Sequence, residues 1–300
     1  MISYGKETLD DSSPPHVGTA MNAQPIPRPV VFLLDRNVVA IIKDAIAGGK
    51  RHDARKQAYL DGLRALDVPG NTMSPILSIM EGERGYEDSA EEKAECLKKE
   101  VDAVGQFFKH ASTDAVYLRA HSDDAAALFA GWRESQWADR ATFFLAAAEL
   151  VAQKVAAHER RRVEDELVRR AVAAGLATHD AILMVLLSCL YGCDAARRVI
   201  KPTKPNARNV LHDIHVISRV GMIKAVAQQS PFPINVRFLT LDQGLLGILE
   251  HIRIVRPRIT AAGDPEMQVG YSPALFPVLS TADANALLRR CTSAASAAAK

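Results

Sequence analysis

The sequence predicts an α/β fold, in which helices flank a central parallel sheet and a large helical insertion divides the chain. Two segments predict the sheet, Val30–Leu34 and residues 236–241, because both are rich in β-branched and large apolar residues. The chain between them has mainly helical spacing. This order of elements indicates one domain whose two halves are separated by the insertion.

Residues 30–90 form the first half of the predicted domain. Apolar residues at helical spacing predict three helices after the first strand, over 38–47, 53–66 and 73–81. Gly48 follows the first helix, where a glycine can adopt the left-handed conformation that ends a helix. Ser74 and Pro75 introduce the third, because a serine cap followed by a first-turn proline favours helix initiation.

Residues 91–178 show no strand pattern and are dominated by alanine, leucine, arginine and glutamate, which predicts the helical insertion. The second half of the domain covers residues 179–260. Its expected elements are helices over 181–190, 206–228 and 243–251, the strand over 236–241 and one more strand around Ile254. Residues 1–29 are polar and proline-rich, which predicts a flexible leader, and residues 261–300 form a C-terminal extension.

Composition sets only broad limits on function. The chain has 300 residues, 48% apolar content and a formal net charge of +2, so charge neither favours nor excludes a nucleic-acid partner. The longest apolar stretch, 181–190, is too short to cross a bilayer, and we expect no membrane partner. The four cysteines form no CxxC pair, which favours a reducing, cytoplasmic location over a disulfide or zinc protein.

Four acids occupy comparable positions in the predicted fold. Asp35 and Asp242 each follow a strand, Glu81 ends a short helix, and Asp213 lies inside a helix. Because ligands bind beyond the carboxyl ends of parallel strands, we expect Asp35 and Asp242 to share one cleft. Two carboxylates about 4 Å apart repel by roughly 4 kcal/mol at an effective dielectric constant near 20, so a shared pocket requires protons or a cation. Carboxylates bind Mg²⁺ or Mn²⁺, which predicts metal-assisted phosphodiester hydrolysis.

The order of these motifs resembles the PIN domain family of nucleases. The resemblance covers roughly residues 30–85 and 200–257. It rests on four short motifs: Asp35 with Asn37 after the first strand, Pro75 to Glu81, Asn206 to Asp213, and Phe238 to Asp242. The resemblance implies a central parallel sheet, a divalent-metal site, and hydrolysis of RNA or, less often, of structured DNA.

The resemblance also implies roles for individual residues. Asp35, Glu81, Asp213 and Asp242 match the catalytic acids that bind Mg²⁺ or Mn²⁺. Asn37 and Thr240 match polar residues that support the first and last acids, and Asn209 shares a helical face with Asp213. Basic residues close to the acids would contact phosphates, and the candidates are Arg36, Arg84, Lys201, Lys204 and Arg208.

The third acid has two candidates. Asp180 also opens an apolar helix, but an aspartate in the first turn of a helix stabilises the helix dipole without any metal. Asp213 is favoured because it lies nearer to Asp242 in the sequence. The long insertion between Glu81 and Asp213 is a departure from the compact PIN pattern.

Three other functions compete with this interpretation. A haloacid-dehalogenase-like phosphatase also begins with a strand and an aspartate, but Asn37 stands where that chemistry needs a proton-donating aspartate. The doublets His179–Asp180 and His212–Asp213 are typical of an HD-type metal-dependent phosphohydrolase. A non-catalytic PIN-like module would bind RNA or a protein.

Several properties stay open on the sequence alone. RNA is the expected partner, with structured or single-stranded DNA as the alternative. A homodimer and a regulatory protein partner are both compatible with the chain.

Overall fold

A computed structural model gives the fold of the protein and describes residues 29–48, 53–83, 88–129, 136–229, 234–259 and 265–298. Residues 1–28 of the predicted leader lie outside the described residues. The central sheet contains β1 (Val30–Leu34), β2 (Asn71–Ser74), β3 (Ser112–Thr113) and β4 (Asn235–Leu239). These strands lie in the order β3-β2-β1-β4, and every neighbouring pair is parallel. The predicted α/β class with a central parallel sheet is confirmed.

The register of β1 and β4 brings their carboxyl ends to the same level. Val30 pairs with Asn235, and Leu34 pairs with Leu239. The backbone nitrogen of Asp35 then donates to the carbonyl oxygen of Leu239 at 2.9 Å. Residues that follow the two strands therefore meet at one edge of the sheet.

Two of the four strands do not follow from the sequence patterns. β2 contains the polar residues Asn71, Thr72 and Ser74, so the helix expected over 73–81 begins only at Ile76. The expectation that residues 91–178 are entirely helical is wrong at β3, which pairs in parallel with β2. Both strands are short and polar, and pairing with a neighbouring strand stabilises them more than their own side chains do.

The structure describes helices in every connection between the strands of the central sheet, and further helices after β4. They are α1 (Arg36–Ile46), α2 (Ala54–Ala65), α3 (Ile76–Glu81), α4 (Ala90–Phe107), α5 (Ala115–Ala120), α6 (Ser122–Phe129), α7 (Trp137–Ala148), α8 (Arg160–Ala173), α9 (Ala181–Leu190), α10 (Asp194–Ile200), α11 (Ala207–Ala227), α12 (Gln243–Leu249) and α13 (Thr281–Ala298). The predicted helices over 38–47, 53–66, 181–190, 206–228 and 243–251 correspond to α1, α2, α9, α11 and α12, whereas α10 was not expected. Among the described helices, none combines the length and the apolar composition that crossing a bilayer requires.

Helices cover both faces of the sheet because successive residues of a strand point to opposite sides. Phe32 and Leu34 pack with α1, α2 and α4 on one face, and Leu33 packs with α9 and α11 on the other. Phe143 of α7 and Leu167 of α8 belong to the same buried cluster as Leu33. The predicted insertion therefore shares its hydrophobic core with the sheet.

The strand expected around Ile254 exists but does not join the central sheet. β5 (Ile252–Ile259) pairs antiparallel with β6 (Pro265–Tyr271), which lies in the C-terminal extension. This hairpin packs on α11 at Gly221, where a Cβ atom would lie 2.0 Å from the sulfur of Met267. The hairpin and α13 therefore complete the core after the central sheet has ended.

Candidate active site

Asp35 lies between the end of β1 and the start of α1, and it is only 7% exposed. Its Oδ1 accepts a hydrogen bond from the backbone nitrogen of Arg36 at 2.9 Å, which caps α1. Its Oδ2 accepts from Asn37 Nδ2 at 2.7 Å and from the Thr240 hydroxyl at 2.5 Å. Both carboxylate oxygens are therefore oriented by donors from the two strand ends.

Asn37 and Thr240 also link the two strand ends to each other. Asn37 Nδ2 donates to Thr240 Oγ1 at 3.0 Å, and Asn37 Oδ1 accepts from the backbone nitrogen of Leu241 at 2.9 Å. The backbone nitrogen of Asp242 donates to Thr240 Oγ1 at 3.0 Å. Because the Thr240 hydroxyl proton is directed at Asp35, its oxygen is available to accept these two bonds.

Asp242 caps α12, since its Oδ1 accepts from the backbone nitrogen of Leu245 at 2.9 Å. Its charge acts on the other acids of the site. Burial is the largest cause that raises the pKa of Asp35, the hydrogen bond from Thr240 opposes this shift, and the charge of Asp242 adds to it. Asp242 therefore lies close enough for its charge to act on Asp35 at the same edge of the sheet.

Asp213 lies in the first half of α11, and its side chain belongs to the same environment. Burial is the largest cause of a pKa raised to about 8. The negative charges of the three other acids contribute next, in the order Asp242, Asp35 and Glu81, and Lys201 opposes them. The charges of the three other predicted acids therefore all act on Asp213.

Glu81 is the last residue of α3. Burial and then the charge of Asp35 raise its pKa to about 7, whereas Arg36 and Arg219 oppose the shift. Nη1 of Arg36 lies 3.8 Å from Glu81 Oε1. Glu81 therefore gains or loses its proton near neutral pH, where an ordinary glutamate is already ionised.

The donor set suits a hard divalent cation in its chemistry. Burial and neighbouring negative charges raise the pKa of Asp35, Glu81 and Asp213, so a nearby positive charge would stabilise their ionised forms. Carboxylate oxygens are also the ligands that Mg²⁺ and Mn²⁺ prefer. Within the described residues, however, no three His, Cys, Asp or Glu side chains lie in a metal-binding arrangement as they stand. Binding of an ion therefore requires the side chains to approach one another more closely.

Asp180, the alternative third acid, is engaged elsewhere. Its Oδ2 accepts from Arg140 Nε at 3.0 Å and from Nη2 at 2.8 Å. Its Oδ1 accepts from the backbone nitrogen of Ile182 at 3.0 Å and so caps α9. These contacts give Asp180 the structural role of a helix cap and ion-pair partner. The charges of Asp35, Glu81 and Asp242 act instead on Asp213.

His212, the histidine of the second His–Asp doublet, packs against an aromatic side chain together with His215 of the same helix. The rings of His212 and His215 each lie with their centroids 5.0 Å from that of Trp137. His215 Nε2 also lies 3.3 Å from Nη1 of Arg140, which pairs with Asp180. These contacts give one member of each His–Asp doublet, Asp180 and His212, a structural partner on α7.

The predicted phosphate-binding residues have different positions. Arg36 Nη1 and Arg208 Nη2 both donate to the carbonyl oxygen of Glu83, at 3.1 and 3.4 Å, so helices α1 and α11 converge on this backbone group. Lys204 is exposed in the loop after α10, where Lys201 adopts a left-handed conformation with φ 46°. Arg84 lies outside the described residues.

The sequence predicts that Asn209 supports Asp213, but no contact between these two side chains is found among the described residues. Asn209 is exposed, and its backbone nitrogen donates to the Asn206 side chain at 3.1 Å. Its position at the start of α11 therefore serves the helix cap of Asn206. Helical spacing placed Asn209 on the same face as Asp213, but the exposed first turn leaves its amide in solvent.

Sequence reasoning missed three residues that contact or influence the site. From α2, Tyr59 donates to the carbonyl oxygen of Thr240 at 3.2 Å, and Arg55 Nη2 donates to that of Leu241 at 3.2 Å. Buried Arg219 of α11 acts on Glu81. Local patterns contain no signal for these contacts, because α2 reads as a polar surface helix and Arg219 as one charge in a long apolar helix.

Comparison of the chain with protein-family models, with curated proteins and with solved structures found no match. The interpretation of the site therefore depends on its own residues: four coupled carboxylates, two hydrogen-bonding supports and a set of basic side chains at one edge of a parallel sheet.

Proposed function

We propose that this protein is a PIN-like, divalent-metal-dependent nuclease that hydrolyses phosphodiester bonds, with RNA as its substrate. One observation carries the proposal: burial and the charges of three neighbouring acids raise the pKa of Asp213 to about 8. A buried carboxylate that is also repelled by neighbouring acids is stabilised in its ionised form by a bound cation. Such a cluster at the carboxyl edge of a parallel sheet favours metal-assisted catalysis over a purely structural role.

The roles of the acids follow from their positions. Asp35, Asp213 and Asp242 would hold Mg²⁺ or Mn²⁺, and Glu81 would bind a second ion or orient the attacking water. The chemistry that such ions supply is activation of water and neutralisation of the phosphate charge. Asn37 and Thr240 keep the Asp35 carboxylate in one orientation through hydrogen bonds to its Oδ2.

The basic residues near the acids support a nucleic-acid substrate. Arg36 lies 3.8 Å from Glu81, Lys201 acts electrostatically on Asp213, and Lys204 is exposed in the adjoining loop. Arginine and lysine at such positions contact phosphates and hold the strand without reading its sequence. The preference for RNA over structured or single-stranded DNA comes from the PIN-like resemblance.

The cysteines are consistent with a cytoplasmic location, which belongs to the same proposal. Cys96, Cys189, Cys193 and Cys291 all lie in described segments, and all four are free thiols. Burial raises the pKa of Cys189 and Cys291 to about 11, so these thiols have little reactivity. Buried, unreactive thiols are typical of proteins from reducing compartments.

Cleavage assays test the proposed function. The purified chain is incubated with single-stranded RNA and with DNA of the same sequence in Mn²⁺, beside Asp35→Asn. Asp61→Asn is the matched control, because Asp61 is an exposed acid that pairs with Arg64 on α2. We expect the wild type and Asp61→Asn to cleave RNA, and Asp35→Asn to be slower by roughly 100-fold or more.

Two outcomes would overturn the proposal. Equal cleavage by the wild type and Asp35→Asn would assign the activity to a contaminant or to another site. Binding of RNA without cleavage, in the presence of Mn²⁺, would favour the non-catalytic PIN-like module.

A further inference from the structure

Gly82 directly follows Glu81 and has a backbone conformation that other residues avoid. Its φ is 66° and its ψ is −178°. A Cβ atom at this position would lie 2.3 Å from Asp88 Oδ2 and 2.5 Å from Lys93 Nζ. The backbone next to Glu81 therefore lies directly against these two side chains, and only glycine fits there.

Asp88 and Lys93 form a buried ion pair at the start of α4. Asp88 Oδ2 lies 3.7 Å from Lys93 Nζ, and the two residues are 6% and 2% exposed. The same Asp88 oxygen accepts a hydrogen bond from the backbone nitrogen of Glu83 at 2.9 Å. Asp88 is therefore bound to the peptide group that joins Gly82 to Glu83.

Glu83 is held from its carbonyl side as well. That oxygen accepts from Arg36 of α1 at 3.1 Å and from Arg208 of α11 at 3.4 Å. Its amide and its carbonyl thus have separate charged partners, which lie on α1, on α11 and in the segment that precedes α4. The backbone N–H and C=O groups of Glu83, two residues after Glu81, are therefore both held by hydrogen bonds.

A buried ion pair often adds little net stability to a folded protein. The desolvation of two charges commonly cancels their attraction, and apolar residues of the same size often stabilise a protein as well or better. Stability alone therefore does not explain Asp88 and Lys93. Their contact with the backbone beside Glu81 gives an alternative explanation.

We propose that Asp88 is a positioning residue for Glu81: with Lys93 as its counterion, it fixes the backbone of Gly82 and Glu83 and so directs the Glu81 side chain into the acid cluster. This inference rests on the proposed function, because it assigns Glu81 a task in that site. Asp88 acts through the hydrogen bond to Glu83, and it does not touch the reacting groups.

Two double variants separate positioning from stability. Asp88→Leu with Lys93→Met removes both charges and the acceptor for the Glu83 amide, while keeping the side-chain volume. Asp88→Asn with Lys93→Met removes the same charges but keeps an acceptor oxygen. Lys99→Met is the control for loss of a lysine on α4, because Lys99 is exposed and pairs with Glu95.

Two measurements do not depend on nuclease activity. In the leucine variant, we expect the Glu83 amide to exchange with solvent at least about 10-fold faster, and the NMR signal of the Glu81 carboxyl carbon to shift. In the asparagine variant and Lys99→Met, both should stay close to the wild-type values. Equal amide exchange and equal Glu81 signals in the two double variants would overturn the inference, whether or not the protein is a nuclease.

Kinetics then test the consequence for the site. The leucine variant should lose roughly 10- to 100-fold in kcat with little change in KM, and should need more Mn²⁺ for half-maximal activity. The asparagine variant should keep kcat near wild type. A leucine variant that shifts the Glu81 signal but retains kcat would also contradict the positioning role, whereas an inactive wild type would contradict only the proposed function.

Discussion

The hydroxyl of Thr240, directly after β4, donates a hydrogen bond to the carboxylate of Asp35, directly after β1, across 205 positions of the sequence. This bond joins the two strand ends that carry the candidate site. Because the Asp35 carboxylate is buried, loss of the donor leaves one of its oxygens with weaker compensation.

We expect Thr240→Val to lower the free energy of unfolding by about 1–3 kcal/mol, because valine has the shape of threonine without its hydroxyl. Denaturant unfolding measures this change. Thr240→Ser is the control, since serine keeps the donor and should lose less stability. A valine variant as stable as the serine variant would show that the bond contributes little.

The stability of the metal-free protein should fall as the pH rises from about 5 to about 8. Burial and repulsion raise the pKa of Glu81 from 4.5 to about 7, and that of Asp213 from 3.8 to about 8. In this range the folded protein holds protons that the unfolded chain has released, so each rise in pH favours unfolding. A loss of ~2 kcal/mol would lower the melting temperature in EDTA by roughly 4–8 °C.

The Asp213→Asn variant provides the control for this pH dependence. Asparagine has no proton to lose, so the variant should show a flatter decline in melting temperature over the same pH range. A wild-type melting temperature that increases with pH would contradict the coupled acid cluster.

Mn²⁺ should raise the melting temperature, and more strongly near pH 8 than near pH 6. Protons and the cation compete for the same carboxylates, so deprotonation favours binding. At a free concentration about 100 times its Kd, a ligand of the folded state adds ~2.7 kcal/mol of stability. EDTA should reverse the increase, and Asp35→Asn or Asp242→Asn should abolish it. An undiminished increase in both variants would place any bound Mn²⁺ elsewhere.

Asp213 and Asp180 should respond in opposite ways to the same substitution. Asp213→Asn relieves repulsion, so it should stabilise the metal-free protein near pH 8 and remove the response to Mn²⁺. Asp180→Asn weakens the ion pair with Arg140, so it should lower the free energy of unfolding by about 2 kcal/mol and keep the response to Mn²⁺. Melting curves with and without Mn²⁺ measure both effects, and the reverse pattern would make Asp180 the third acid.

The parts of the fold that follow from the sequence are those with a continuous local pattern. β1 is an apolar run followed directly by Asp35, and α11 begins after the side-chain cap of Asn206. β4 lies where the apolar segment 236–241 predicts a strand, although it ends at Leu239, three residues before Asp242. β2 and β3 lack such a signal because they are short and polar, and the pairing that makes them strands comes from distant residues.

In the candidate site, too, a local sequence pattern predicts some features, whereas others depend on residues that are distant in the sequence. The positions of Asp35 and Asp242 after their strands can be predicted, because strand ends are visible in the sequence. The contacts of Arg55 and Tyr59 with the carbonyl oxygens after β4 cannot, since they depend on how α2 packs on the sheet. The hydrogen bonds from Arg36 and Arg208 to the carbonyl oxygen of Glu83 likewise join residues that are distant in the sequence, so no local motif predicts them.

The pairing of Leu34 with Leu239 has a consequence for the order in which the site is assembled during synthesis. Asp35 and Glu81 are synthesised before the helical segment that separates the two halves of the sheet, but Thr240 and Asp242 are added only after it. Because β1 keeps an unpaired edge until β4 arrives, a growing chain that ends before residue 235 holds three of the four acids, Asp35, Glu81 and Asp213, without Asp242 and without the Thr240 hydroxyl that orients Asp35. The hydrogen bonds that orient Asp35 can therefore form completely only after residues 235–242 have been added and β4 has paired with β1.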